Sequence, residues 1–448
     1  MKAHVFREYD IRGIYPEELN EETVFELGQA IGTFYQDRGA QKVSLGRDCR
    51  LSSPVLFEVL RKGLLSTGLN IVGVNMVPTP VLYFSLHYLD VGGGIQITGS
   101  HNPPDFNGFK VCLGHDSVYG RDIQEIRKMQ QAREFHSGEG AYEEADVVGP
   151  YMEYLAGRLK SGPVRRKVVV DAGNGAAGHI APEIYHRMGF DVIPLFCEPD
   201  GHFPNHHPDP TIPENLVDLR EKVFETNADL GIAFDGDADR IGVIDRKGEI
   251  IWGDRLMILF SRDLLERHPG GKVIGEVKCS QVLFDDIEKH GGKAIMWKAG
   301  HSLIKAKMKE ENALLAGEMS GHLFFAEDYY GYDDAVYAGA RLLEILSRKE
   351  GPLDALLADI PETFSTPEIR MECPEEKKFD VVKNLAEYFK QGYKVIDVDG
   401  ARVLFDGGWG LIRASNTQPV LVLRFEANSE KKLEEIRQIF MKKLGEYL

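Results

Sequence analysis

A threefold repeat constrains this chain more than any other feature of its sequence. Three stretches begin Lys-Val, run through apolar or β-prone residues and end in a polar turn: KVSLGRDCR (42–50), KVVVDAGNG (167–175) and KVIGEVKCS (272–280). Each leads into a helix-like stretch, VLFEVLRKGLLS, APEIYHRM or VLFDDIEKH, that stops near Gly68, Gly189 or Gly291. A second strand follows each time: NIVGV, DVIPL and KAIMW. Strand–helix–strand rhythm builds α/β layers. The period exceeds that of solenoid repeats, so the pattern reads as three related α/β domains with mixed sheets, not an array. From roughly Pro361 the rhythm breaks. There a helix (DVVKNLAEYFKQ), a run of strands and a closing helix capped by Ser429 predict a smaller α+β domain. The expected division is 1–146, 147–248, 249–360 and 361–448.

Each repeat also holds a third strand, GIQI, GIAF or ALLA, that runs straight into a polar loop: TGSHNP, DGDADR or GEMSGH. Ligands of α/β sheets bind beyond the carboxyl ends of strands, so three such loops at matching positions point to one cleft. DGDADR spaces Asp235, Asp237 and Asp239 at alternate positions. Carboxylates this close repel unless a cation neutralises them, and an all-oxygen set suits a hard ion; Mg²⁺ is the usual one where phosphate is handled. An EF-hand would need glycine at the sixth loop position and an acid at the twelfth, and this chain has Arg240 and Arg246 there. GEMSGH offers Glu318, Ser320 and His322, which suit sugar hydroxyls, although a plain polar turn reads equally well. RASNTQP gives Arg413, Ser415, Asn416 and Thr417, a guanidinium with hydroxyls, an amide and backbone N–H groups that can cradle phosphate.

Other stretches carry less. DAGNGAAG matches G-x-G-x-x-G, with Asp191 about 20 residues beyond Asp171, but Asp171 ends a strand and such short matches are common, so a dinucleotide site is not expected. The histidines of FPNHHPDP lack a suitably spaced acidic or Cys partner and suggest a domain contact. Lys278 in GEVKCS, and Lys298 and His301 in MWKAGHS, can supply cations and a proton shuttle.

Net charge is −17, which argues against nucleic acid or an anionic membrane as partner while leaving room for a small anionic substrate in a local basic pocket. No window approaches the ~18 uncharged apolar residues of a transmembrane helix. The start, MKAHVFREYDIRG, has no apolar stretch of the secretory kind, and the five cysteines are scattered without a CxxC pair. Reduced thiols and cytoplasmic residence are the expectation.

TGSHNP, DGDADR, GEMSGH and RASNTQP, in that order and with FREYDIRG and MVPTPVLY, resemble the α-D-phosphohexomutases over nearly the whole chain, closest to the bacterial phosphomannomutase/phosphoglucomutase branch. The resemblance implies four domains, three α/β and one of TATA-binding-protein-like type. It implies that Ser100 carries a phosphoryl group and that Asp235, Asp237 and Asp239 hold Mg²⁺ together with the phosphoserine. Glu318 and Ser320 would read the sugar hydroxyls, and Arg413, Ser415, Asn416 and Thr417 would grip the substrate phosphate. Tyr9, Arg12, His101, Lys110, Arg240, Lys278, Gly300, His301 and His322 would complete the cleft, with Lys110 and His301 as candidates for proton transfer. The implied activity moves phosphate reversibly between positions 1 and 6 of mannose or glucose, through a hexose 1,6-bisphosphate that also serves as activator. Met319 in GEMSGH resembles that branch more than the glucosamine branch. A monomer is expected, with its last domain hinging near 350–361. One departure is Ala238, where the family commonly has glycine.

Overall fold

The computed structural model describes residues 1–415 and 419–448. Each repeat forms the heart of its own sheet. Strand Lys42–Arg47 lies between Asn70–Met76 and Gly93–Ile97, parallel to both. Strand Lys167–Asp171 lies likewise between Asp191–Leu195 and Leu230–Phe234. Strand Lys272–Glu276 does the same with Lys293–Trp297 and Leu315–Gly317. In all three the third strand then pairs antiparallel with the next: Phe106–Leu113, Ile241–Asp245 and Leu323–Phe325. This makes three mixed sheets, of seven, five and four strands. Every residue of Gly93–Ile97 and Leu230–Phe234 is buried, as expected of central strands covered on both faces. The third strand of the last repeat begins two residues later than ALLA suggests, because Ala313 and Leu314 still belong to the turn out of helix His301–Glu311.

The fourth sheet is antiparallel. Strands Lys394–Ile396, Ala401–Phe405, Gly408–Ala414 and Val420–Ala427 meander, and the short strands Phe364–Ser365 and Ile369–Glu372 both pair with Val420–Ala427. Side chains alternate across a strand. On Gly408–Ala414, Ile412 and Ala414 face a core built with helices Lys378–Phe389 and Glu430–Leu444. Trp409 and Leu411 face the other way, against Val277 of the third unit. Arg413 shares that parity and so points to the inter-unit side. Ser429 caps the closing helix, its side chain accepting from the Lys432 N–H at 3.3 Å.

One apolar cluster runs through the first three units, taking in Leu82, Tyr151, Ile184, Phe234, Leu256, Val336 and Leu343. The expected hinge segment is anchored over most of its length: Leu353 is buried, Asp354 lies 2.6 Å from Lys247, and Asp359 accepts from Arg262 at 2.8 Å. Pro361 and Glu362 just beyond it are exposed. No helix is long and apolar enough to cross a membrane, among the described residues.

Candidate active site

The chain turns sharply where Gly93–Ile97 ends. Ser100 sits at φ +48°, in the left-handed region that costs an L-residue about 1–2 kcal/mol. Its N–H donates to Thr98 Oγ1 at 2.8 Å. Its hydroxyl, 2% exposed as a residue, donates to Asp235 Oδ2 at 2.7 Å and lies 3.1 Å from His101 Nδ1. The serine of the first unit thus meets the acidic loop of the second.

Strand Phe106–Leu113 puts Phe109 and Val111 into the first unit's core, so Lys110 emerges on the opposite face. Its ammonium lies 2.8 Å from Asp237 Oδ2 and contacts Asp239 Oδ2. Burial opposes that charge, but Asp237, Asp239 and Asp333 outweigh it and hold Lys110 well above its ordinary pKa. Asp237 is correspondingly lowered: burial would raise it, and Lys110 and the Thr79 hydroxyl, 2.5 Å away, reverse the sign. For Asp235, burial and its two acidic neighbours outweigh Arg240 and the Ser100 hydroxyl and push it far up.

Asp235, Asp237 and Asp239 offer oxygens that all lie within 4.8 Å of one another. Asp237 Oδ1 and Asp239 Oδ1 are buried without a hydrogen-bond partner. Buried carboxylate oxygens without a protein partner are donors for a hard cation, and the set fits a divalent ion such as Mg²⁺. Ala238, between two of them, has φ +57° and no exposure, so alanine occupies a conformation that favours glycine.

A second group, Asp239, His322 and Asp333, is equally compact. It does not read as a ligand set. Arg240 Nε donates to His322 Nε2 at 3.0 Å, which leaves the neutral ring's proton on Nδ1. That nitrogen faces Asp333 Oδ2 at 3.2 Å and Asp239 Oδ1 at 3.6 Å. Asp333 also faces His301 Nδ1 at 3.7 Å and receives Lys305 at 3.0 Å. Burial drives His301 well below its ordinary pKa despite Asp333, so its imidazole is neutral. His101 is also driven down, by burial and then by Arg240 and Arg12. Arg240 stays strongly cationic, because Asp209, Asp235 and Asp239 outweigh its burial.

The remaining expected residues surround this centre. Arg12 donates to Asn102 Oδ1 at 3.1 Å and to Asp10 at 2.6 Å. The Tyr9 hydroxyl donates to the Ala299 carbonyl at 3.1 Å, and its ring meets His301 edge-on. Gly300, at φ +126°, leaves no room for a side chain, since a Cβ would come 2.7 Å from the Tyr9 ring. Its N–H donates to Glu318 Oε1 at 2.5 Å, and Glu318 Oε2 accepts from Ser320 at 3.2 Å. Lys278 lies 3.4 Å from Glu368 and 3.9 Å from Glu276, and these acids keep it charged against burial. Its loop is held from the fourth unit: Arg402 donates to the carbonyls of Val277 and Cys279 at 2.7 Å each, and Arg424 to that of Lys278 at 2.6 Å. Arg413 pairs with Asp399, which also accepts from the Ala299 N–H at 3.1 Å. Ser415 is buried and accepts from Lys378 at its carbonyl. Asn416 and Thr417 lie outside the described residues.

Contacts therefore run unbroken from Ser100 in the first unit to Arg413 in the fourth. Lys298 is exposed and takes no part. His206 pairs with Asp171 at 2.9 Å inside the second unit, and its neighbour His207 contacts the His101 carbonyl, joining that unit to the serine loop. Sequence reasoning missed Asp333, Asp399 and Glu276. Asp333 is an ordinary acid in GYDDAVY, and only the tertiary fold shows that it faces two histidines.

Four family descriptions match in series: "Phosphoglucomutase/phosphomannomutase, alpha/beta/alpha domain I" over residues 3–137, domain II over 149–248, domain III over 252–364, and the C-terminal domain over 368–443. A phosphomannomutase/phosphoglucomutase of Pseudomonas putida is 48% identical, covering 98% of this chain and 95% of the relative. A phosphoglucomutase of Neisseria gonorrhoeae is 46% identical, covering 97% and 95%. The crystal structure of a phosphoglucomutase/phosphomannomutase family protein from Burkholderia thailandensis superposes with a TM-score of 0.94 at 44% identity, over 99% of this chain and 97% of that one. Four matched domains in order and near-half identity along the whole length agree with the loop convergence seen here: the chain belongs to the phosphoglucomutase/phosphomannomutase family of α-D-phosphohexomutases.

Proposed function

We propose that this enzyme interconverts hexose 1-phosphate and hexose 6-phosphate, with mannose or glucose as the sugar, by way of a phosphoryl group carried on Ser100. The observation that carries this reading is the Ser100 hydroxyl, held in strained backbone 2.7 Å from Asp235 at the junction of two units. Phospho-Ser100 gives its phosphoryl group to the free hydroxyl of the bound sugar phosphate. The O–P bond to Ser100 breaks, one to the sugar forms, and the sugar's hydroxyl proton leaves. Neutral His301 suits the accepting role and charged Lys110 the donating one. The resulting 1,6-bisphosphate turns end for end, and its other phosphate returns to Ser100.

Mg²⁺ held by Asp235, Asp237 and Asp239 with a phosphoserine oxygen would neutralise charge on the transferring group. Arg12, Arg240 and Lys110 add fixed positive charge around Ser100, with His101 beside it. Glu318 and Ser320, with Gly300 and His322 bordering them, suit the sugar hydroxyls. Tyr9, Lys278, Arg413, Ser415, Asn416 and Thr417 suit the distal phosphate. Dividing these duties among units 1–146, 147–248, 249–360 and 361–448 lets one cleft close over either end of the bisphosphate. All these residues come from one chain, so a monomer suffices.

³¹P NMR tests the reading. Protein loaded with Mg²⁺ and primed with glucose 1,6-bisphosphate is offered mannose, glucose and glucosamine 1-phosphates separately. New 6-phosphate signals from mannose or glucose, lost in Ser100→Ala, support it. A glucosamine-only signal moves the sugar assignment, and free phosphate alone sinks the mutase reading.

A further inference from the structure

The geometry points to Arg50 as the positioning residue that holds Ser100 in its reactive conformation, an inference that rests on Ser100 being the phosphoryl carrier. Arg50 lies in the polar turn of the first repeat, and its side chain has no exposure. One guanidinium serves four carbonyls of the serine loop. Nη2 donates to Ser100 at 2.8 Å and Asn102 at 2.5 Å, and Nη1 donates to Pro103 at 2.5 Å and Phe106 at 3.0 Å.

Asp48 completes the clamp from the other side. Its Oδ2 accepts the Gly99 N–H at 3.1 Å and lies 3.3 Å from Arg50 Nε. Its Oδ1 accepts the Arg50 N–H at 3.0 Å and the Ser53 hydroxyl at 2.5 Å. The Ser100 carbonyl is thus gripped by the base and the preceding Thr98–Gly99 peptide, through the Gly99 N–H, by the acid, while the Ser100 N–H between them is held by Thr98 Oγ1. Without that grip, nothing in a serine's own preferences keeps φ at +48°. The approach is tight: a Cβ on Gly99 would come 2.5 Å from the guanidinium. The second unit closes over it, with the Phe203 ring centroid 5.3 Å from Arg50 Cζ. Lysine cannot replace this arrangement, because a point charge with three donors does not match four carbonyls spread around a planar fork.

The test compares wild type, Arg50→Lys and Ser100→Ala. Intact mass after priming with glucose 1,6-bisphosphate reads phosphoryl occupancy, steady-state kinetics read kcat and KM, and amide exchange reads the 98–106 loop. In Arg50→Lys the loop should exchange faster, occupancy should fall, and kcat should drop about 10–100-fold, the penalty expected for displacing a reacting atom by about an ångström. KM should stay within about twofold, because the residues suited to the sugar hydroxyls lie on the third unit and most of those suited to the distal phosphate on the third and fourth. A folded Arg50→Lys that takes up phosphate and turns over like wild type overturns the assignment, as does a lowered melting temperature with unchanged kcat per phosphorylated molecule. If Arg50→Lys does not fold, Asp48→Asn replaces it, with the same split expected and wild-type kcat refuting it. Wild type that gains no phosphoryl mass, or Ser100→Ala that still gains it, rejects the Ser100 reading itself and this inference with it.

Discussion

Replacing Lys110 by methionine should make the protein's stability depend on a divalent cation. The ammonium sits 2.8 Å from Asp237 and against Asp239, with 4% of the residue exposed. At an effective dielectric of about 20, one such pair carries about 6 kcal/mol of attraction. Desolvation consumes part of it, and removing one partner of a buried pair generally costs about 3–5 kcal/mol. Methionine keeps the stem's volume, so the change isolates the charge. Three buried carboxylates would then stand with no lysine between them. Spread over the roughly 360 residues that share one apolar cluster, at about 2.1 cal/mol/K per residue, a loss of that size lowers the melting temperature by roughly 4–7 °C. Calorimetry in EDTA and in excess Mg²⁺ measures it. The variant should melt below wild type in EDTA and gain more from Mg²⁺ than wild type does, because the ion replaces the missing positive charge. An equal deficit in both conditions, or none in EDTA, would refute the picture of Lys110 as the internal counter-ion of the acidic loop.

Ala238→Gly should change stability by less than about 1 kcal/mol: relief of left-handed strain, about 1–2 kcal/mol, is offset by glycine's added chain entropy, about 0.5–1 kcal/mol, and the lost buried methyl, about 0.8 kcal/mol. Denaturant melts with and without Mg²⁺ check this; a shift above about 2 kcal/mol would mean that the loop is held differently. His87 stacks on His115 and Tyr330, and burial, then His115, lowers it to about 4. The unfolded chain therefore binds the proton more readily between pH ~6.5 and ~4, so His87 contributes stability above that window and loses it as pH falls through it. A near-isosteric His87→Phe should gain on wild type in melting temperature across that window, and a pH-independent difference would count against the assignment. Arg402→Met removes two charge-assisted bonds to the carbonyls flanking Lys278. It should raise KM for the phosphosugar more than it lowers kcat, and an unchanged KM would show that the Lys278 loop keeps its shape unaided.

The architecture was legible because its signals are local and repeated. Lys-Val strands, glycine stops and the loops after GIQI and GIAF lie close to where the structure puts them, since burial on both faces forces apolar runs there. The candidate site was legible where short polar loops follow strands, as at Ser100 and Asp235–Asp239. What stayed hidden is long-range. Asp333 and Asp399 meet their partners, His301 and His322 for the one and Arg413 and the Ala299 N–H for the other, only after folding. Arg50 looked like the end of a repeat turn, and four backbone carbonyls leave no mark in the identity of the residues that carry them. The strain at Ala238 was the one conformational feature that a sequence departure announced in advance.

The apolar cluster that passes through the first three units has a consequence for how the molecule comes apart. Its residues interdigitate across unit boundaries, so no one of those units can expose that surface without uncovering its neighbours. The fourth unit closes a core of its own and meets the others through Trp409 and Leu411, guanidinium-to-carbonyl bonds from Arg402 and Arg424, and polar contacts such as Glu426 with Ser280, Glu368 with Lys278 and Asp399 with the Ala299 N–H. Heating should therefore produce two cooperative events of unequal enthalpy, the larger from some three-quarters of the chain melting together. Cleavage near Pro361 should release a fragment that refolds by itself. Of the loops brought together around Ser100, those of the first three units are thereby tied to one shared apolar body, and that of the fourth is not.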